Sequence, residues 1–239
     1  MNTPIVIVGP GRLGRSAASI LHKQGHAHTV IARGEPIPQA EITWLTVPDR
    51  EIKAAAQAVP PGGVLLHASG AHTLEPLRPH ASAGSLHPLM TFPGPEIGLP
   101  EEAIIPAAIA GDPDAIEAAQ KLADLLGFTA FEVPGDRALY HAAAVTAGNF
   151  ASLLMIEAGR MLTAAGVPEA EARNLLAPLA IASIKNAANH GSVALTGPIA
   201  RGDEKVIAAH TGALDSMDAE LALLYHVLAQ ATRRIKGDL

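Results

Sequence analysis

The chain has 239 residues, enough for one large domain or two modest ones with a buried core. It carries 17 basic against 23 acidic residues, a net charge of −6, which argues against a nucleic-acid or anionic-membrane surface because either needs a basic patch. Cysteine is absent, which excludes disulfides, thiolate metal sites and cysteine nucleophiles.

In chain order, residues 4–8 (PIVIV), 28–32 (HTVIA), 42–46 (ITWLT) and 63–67 (GVLLH) are apolar runs of strand length. Residues 83–86, 104–111 and 129–133 extend the series. Between the runs, 12–24, 50–59 and 113–126 have helical patterning, with Asp112 as N-cap and Gly127 as the C-terminal glycine of the last. Near-continuous apolar strands separated by helices predict a doubly wound parallel sheet covered on both faces, an α/β Rossmann domain over residues 1–134.

Beyond the Pro134-Gly135 break the pattern turns wholly helical, over 137–165, 168–189, 203–214 and 215–235, which predicts an all-α domain over 135–239. Pro178 is expected to kink the second of these helices. Ala138–Ile156 has no charged residue and is long enough to reach across a bilayer. It also carries Tyr140, His141, Thr146, Asn149 and Ser152, so a buried helix of a soluble protein is expected instead. The proline-rich 93–106 segment is expected to be an ordered loop. With no basic segment and apolar core of a secretion signal at the start, a cytoplasmic location is expected.

The run Gly9-Pro10-Gly11-Arg12-Leu13-Gly14 matches the dinucleotide fingerprint in its proper setting: a strand before it, a helix opening within it, and a second strand ending at Arg33. Gly9 permits the tight turn, Gly11 lets the backbone approach a pyrophosphate, and Gly14 lets helix and strand pack closely. The helix N-terminus then offers unpaired N–H groups to the phosphates. An NAD site usually ends the second strand in an acid that holds the ribose 2′-hydroxyl. Here that strand ends in Arg33, with Arg12 as a second cation, which favours a 2′-phosphate and hence NADP(H) over NAD(H).

Together with Gly9–Gly14, the stretches TVPD (46–49), HASGA (67–71), SLHPLMTF (85–92), ALYHAAAVTAGNF (138–150) and ALTGPIARGD (194–203) resemble the Rossmann-like proteins that carry a DUF2520 C-terminal domain. The resemblance covers essentially the whole chain. It implies the architecture of the β-hydroxyacid and 6-phosphogluconate dehydrogenases, pyrroline-5-carboxylate reductase and prephenate dehydrogenase, an NADP-dependent oxidoreductase, and a homodimer formed through the helical domain.

Ligands of such folds sit outside the carboxyl ends of the strands. Thr46, Val47 and Pro48 fall there and are expected beside the nicotinamide ribose, with Asp49 capping the next helix. Ser69 and His87 follow the fourth and fifth strands and look like the serine and histidine of prephenate dehydrogenases. His87 has a pKa range suited to proton transfer and is the preferred proton-transfer group, against the alternative of an ordinary loop histidine. On the long helix His141, Val145 and Asn149 follow one face at i, i+4 and i+8. Asn149 matches the asparagine of β-hydroxyacid dehydrogenases, and Val145 then stands where those enzymes have their lysine. His141 either substitutes as proton donor or satisfies a polar seam, and Tyr140 contacts substrate or packs.

Thr196, Arg201 and Asp203 lie in a loop fixed by proline and glycine, where Arg201 could clamp a carboxylate, or Arg201–Asp203 could simply lock the loop. His67, His72, His80 and His87 are spaced by 5, 8 and 7 residues, a pattern that matches no metal motif, so no metal is expected. The expected function is hydride transfer between NADP(H) and a small molecule with a C=O or C=N group. The alternatives are an imine reductase similar to pyrroline-5-carboxylate reductase and a non-catalytic NADP(H) sensor.

Overall fold

The computed structural model describes residues 4–98 and 104–237. The chain divides into two compact units between Gly148 and Asn149. The break implied by Pro134-Gly135 falls earlier, because Arg137 and Tyr140 hydrogen-bond to Ser69 and His87 and so tie the start of the long helix to the first unit.

The first unit holds a seven-stranded sheet of β1 (Ile5–Val8), β2 (His28–Ile31), β3 (Ile42–Leu45), β4 (Val64–His67), β5 (Ala83–Pro88), β6 (Ile105–Gly111) and β7 (Phe128–Glu132). Their spatial order is β2-β1-β3-β4-β5-β6-β7. Alternate side chains feed two cores. Ile5, Ile7, Ile42 and Trp44 pack on one face with α1 (Arg12–Lys23) and α3 (Pro113–Leu126). Val6, Val8 and Leu45 pack on the other with α2 (Ile52–Ala58). All four residues of β1 and of β3 are buried, as a strand covered on both faces requires. Trp44 is wholly buried and donates its indole N–H to the Leu86 carbonyl at 3.2 Å, tying β3 to β5 across β4.

The sheet departs from the all-parallel expectation at one place, where β6 runs antiparallel to β5 and parallel to β7. A parallel neighbour needs a crossover, usually a helix, and no helix lies between Pro88 and Ile105 among the described residues. Of the proline-rich segment, residues 99–103 lie outside the described residues. Asp112 is the N-cap of α3, but its carboxylate is given to Arg78 and the Ala83 N–H rather than to the helix. Gly127 ends α3 with φ +70°.

A helical run extends from Arg137 to Ala164 as α4 (Arg137–Val145), a π segment at Thr146–Phe150 and α5 (Ala151–Ala164). The expectation that 138–156 forms a buried helix is corrected. None of its residues is buried, and Leu139, Phe150 and Ile156 are at least half exposed. By length and composition alone the run is long and apolar enough to cross a membrane. The second unit continues with α6 (Glu169–His190), α7 (Gly197–Arg201), α8 (Glu204–Met217) and α9 (Ala219–Gly237). Helix α6 continues through Pro178. A small core of Leu214, Leu221 and Ala222, backed by Met161 and Tyr225, holds α5, α8 and α9 together.

Candidate active site

Two groups of residues converge on the carboxyl ends of the parallel strands. The first is the glycine turn after β1. Gly9 has φ +110°, a conformation that favours glycine, and its N–H donates to the Ile31 carbonyl at 2.9 Å. A Cβ on Gly14 would collide with the Gly9 carbonyl oxygen and lie 2.6 Å from Thr46 Oγ1, so the helix packs here only without a side chain. Gly11 differs from both. Its φ of −71° suits any residue, and the nearest atom to a Cβ there is the Thr46 carbonyl oxygen, 4.0 Å away.

Packing therefore does not explain Gly11. The bare backbone at the N-terminus of α1, where no side chain caps the helix, leaves room and unpaired N–H groups for an anionic group. The cradle fits a dinucleotide pyrophosphate. Arg12 opens the helix in an exposed position, and half-buried Leu13 packs on the sheet core. Thr46 holds the turn together: its hydroxyl lies 2.8 Å from the Gly9 carbonyl and 3.1 Å from that of Val8. Val47 packs against Gly9, and Pro48 leads into the turn at Asp49–Glu51.

Arg33 is 81% exposed, and its Nη2 lies 2.5 Å from Glu51 Oε1. A 2′-phosphate at Arg33 would compete with that carboxylate. Glu35 accepts the Ala32 N–H at 2.7 Å, which draws its carboxylate to the end of β2.

The second group surrounds the ends of β4 and β5. Ser69 Oγ donates to Asp49 Oδ2 at 3.0 Å and accepts the N–H groups of Ala71 and His72. Its single proton is thus committed, and it shapes the loop after β4. Asp49 does not cap the following helix as expected: the N-cap position of α2 is Glu51, and the Asp49 carboxylate serves Ser69 instead. His67 is fully buried, accepts the Ser69 N–H at Nδ1 and bonds the Thr73 carbonyl through Nε2 at 3.2 Å. Burial lowers its pKa to about 4, which keeps it neutral.

His87 Nδ1 lies 2.6 Å from the Tyr140 hydroxyl, with the two rings edge to face at 5.7 Å. The His141 ring stands 6.1 Å from that of His87. Gly70 lies between the two imidazoles. A Cβ there would come within 2.7 Å of His87 and 2.8 Å of His141, so glycine is what lets the rings approach. Burial, helped by the charges of His141 and Arg137, lowers His87 to about 4. Burial raises Tyr140 to about 12, opposed by the Arg137 charge. At neutral pH the pair is a neutral imidazole bonded to a protonated phenol, an arrangement able to hold and deliver one proton.

Arg137, at the first position of α4, joins this cluster by donating Nη2–H to the Ser69 carbonyl at 3.0 Å. Sequence reasoning passed over it. The available signal was electrostatic, since a cation in the first turn opposes the helix dipole and so has a reason to be there other than helix stability.

The remaining predicted residues belong to the second unit. Asn149 lies in the π segment, whose hydrogen bonds step by five residues, so the row that begins at His141 and Val145 does not continue to it at α-helical spacing. Thr196 is the N-cap residue of α7, and Arg201 gives Nε and Nη2 to Asp203 Oδ2 at 3.1 and 2.8 Å. Among the described residues no three histidine, aspartate or glutamate side chains are grouped to hold a metal; His80 bonds the Ala56 carbonyl.

The fold is similar to that of a Bacteroides fragilis protein described as a putative NADP oxidoreductase, at 20% identity and a TM-score of 0.80 over 98% of this chain and 98% of that chain. A protein of Thermotoga maritima is 26% identical, with a TM-score of 0.75 and 98% of each chain covered. The reductive aminase of Aspergillus terreus, solved with NADPH and ethyl-5-oxohexanoate, is 18% identical, with a TM-score of 0.70 over 99% of this chain and 98% of its own. Comparison with curated proteins gives no match. The family model described as Domain of unknown function (DUF2520) matches residues 105–232, from β6 into α9. That is more than half of the chain, and the protein belongs to the DUF2520 family.

Proposed function

We propose that this protein is an NADP(H)-dependent oxidoreductase acting on a small carbonyl or imine compound. The observation that carries the reading is Gly11, a residue kept free of a side chain where neither backbone strain nor packing demands it. Gly9, Gly11, Gly14 and the first turn of α1 would hold the pyrophosphate, and Arg33 with Arg12 would take the 2′-phosphate. When bound, the nicotinamide supplies or accepts the hydride.

The chain's own part is the proton. Tyr140 gives its phenolic proton to the oxygen or nitrogen of the reduced group, and His87 steadies the resulting phenolate by donating Nδ1–H across the 2.6 Å contact. The role assigned to His87 alone thus passes to the Tyr140–His87 pair. The likeness to a reductive aminase solved with NADPH supports testing imines beside carbonyls. A homodimer formed through the helical unit belongs to the same reading, supported by Leu175, Leu179, Ile181 and Ile184 on α6, each more than half exposed.

The test is thermal stabilisation by NADPH and by NADH at matched concentrations, followed by loss of NADPH absorbance with carbonyls, alone and with amines. At a hundredfold excess over Kd the preferred cofactor should stabilise by about 2.7 kcal/mol. Tyr140→Phe should keep that shift and lose about a hundredfold in turnover. Stabilisation by NADH alone would overturn the Arg33 assignment, and no shift with either would overturn the reading.

A further inference from the structure

Arg137 is the feature of the first unit that the proposed reaction leaves unexplained. Its Nε and Nη1 are buried and have no hydrogen-bond partner among the described residues. Its one bond among the described residues, from Nη2, goes to a neutral carbonyl. No carboxylate lies within ion-pair distance of it among the described residues. Two acids of this region are otherwise engaged: Asp49 serves Ser69, and Asp136 caps α4 by accepting the N–H groups of Ala138 and Leu139.

A guanidinium in this state is costly, because buried donors lose water without gaining an acceptor. Its neighbours offer no relief. His67 and His87 feel its positive charge and are held neutral beside it, and Tyr140 is protonated. What Arg137 lacks is an acceptor for Nε and Nη1, and an arginine fork suits a carboxylate in particular. Arg201, the clamp suggested by sequence, already gives two N–H groups to Asp203, whereas Arg137 has its own to give.

We propose that Arg137 is the anion-recognition residue of this site and that the substrate carries a carboxylate beside its C=O or C=N group. This rests on the oxidoreductase reading above, since the Tyr140 proton and the Arg137 charge would serve one molecule. Arg137 would hold the carboxylate while Tyr140, three residues along α4, faces the group being reduced.

The test measures binding to the NADPH-loaded protein by thermal stabilisation and calorimetry. The probes are pyruvate, 2-oxobutyrate and 2-oxovalerate, each beside its methyl ester, and proline beside prolinamide. At least one acid should bind about tenfold or more tighter than its neutral partner. Arg137→Met, which keeps the aliphatic stem, should abolish that preference and leave stabilisation by NADPH intact; Arg137→Lys should keep part of it. Acids and neutral partners binding alike across the panel would overturn the proposal, as would a preference that survives Arg137→Met. An equal loss for acids and esters would overturn it too, and would make Arg137 a positioning residue for Tyr140. Should Arg137→Met not fold, Arg137→Gln carries the comparison. Failure of NADPH itself to stabilise the wild-type protein would instead remove the cofactor reading and this inference with it.

Discussion

His67, His87 and Tyr140 are each held in the neutral form chiefly by burial, and for the histidines this ties folding to pH. A histidine near 6.5 in the unfolded chain and near 4 in the folded one binds its proton more readily when unfolded. Its contribution to stability is therefore complete above about pH 6.5 and is lost as the pH falls toward 4, by up to about 1.4 kcal/mol per pH unit for each such group. His67→Gln keeps a polar group at the Thr73 carbonyl without the titration. We expect it to melt lower than wild type at pH 7 and to lose less between pH 6.5 and 4. Parallel melting curves across that range would show that His67 does not titrate as described. The same neutrality bears on the site, because a His87 near 4 is a poor cationic acid at pH 7 and a good partner for a phenol.

At the scale of one element, the β1–α1 turn separates two kinds of glycine that the fingerprint writes with one letter. Gly14 answers to the protein: a Cβ there meets the Gly9 carbonyl and Thr46 Oγ1. Gly11 answers to whatever lies above the turn. Gly14→Ala is expected to cost about 1–3 kcal/mol through overpacking, seen as a lower Tm without cofactor. Gly11→Ala should leave the stability of the unliganded protein within about 0.5 kcal/mol of wild type and abolish the NADPH shift. A Gly11→Ala protein that still responds fully to NADPH would show that the cradle is not where the phosphates bind. The π segment at Thr146–Phe150 steps its hydrogen bonds by five residues where an α-helix steps by four.

Over the whole molecule, the two units differ in how much of their apolar surface they cover. The sheet unit buries its central strands β1 and β3 on both faces. Among its described residues the helical unit buries Ala172, Ile207, Leu214, Leu221, Ala222 and Ala229, and leaves large apolar side chains exposed on α5, α6 and α9. Exposed large apolar side chains of this kind are what the proposed homodimer would cover. On the homodimer reading, light scattering should give twice the 24.5 kDa chain mass. Leu179→Arg combined with Ile184→Arg should reduce it to one chain; a monomeric wild-type protein would overturn that reading.

The strands and helices of the first unit were legible in the chain because a strand covered on both faces must be apolar along its whole length, and those runs are short and cleanly bounded. The glycine fingerprint was legible because its three roles demand one residue type at set spacings. Neither kind of local rule could reach the rest. That Thr46 braces the glycine turn, that Asp49 serves Ser69 rather than a helix, and that His87 meets Tyr140 all depend on residues from different strands and helices brought within 3.1 Å. Arg137 is the plainest example, for an unmet hydrogen-bond donor is defined by everything around it. Composition and periodicity determine which segments fold and which face they bury; only packing decides which polar groups are left wanting a partner.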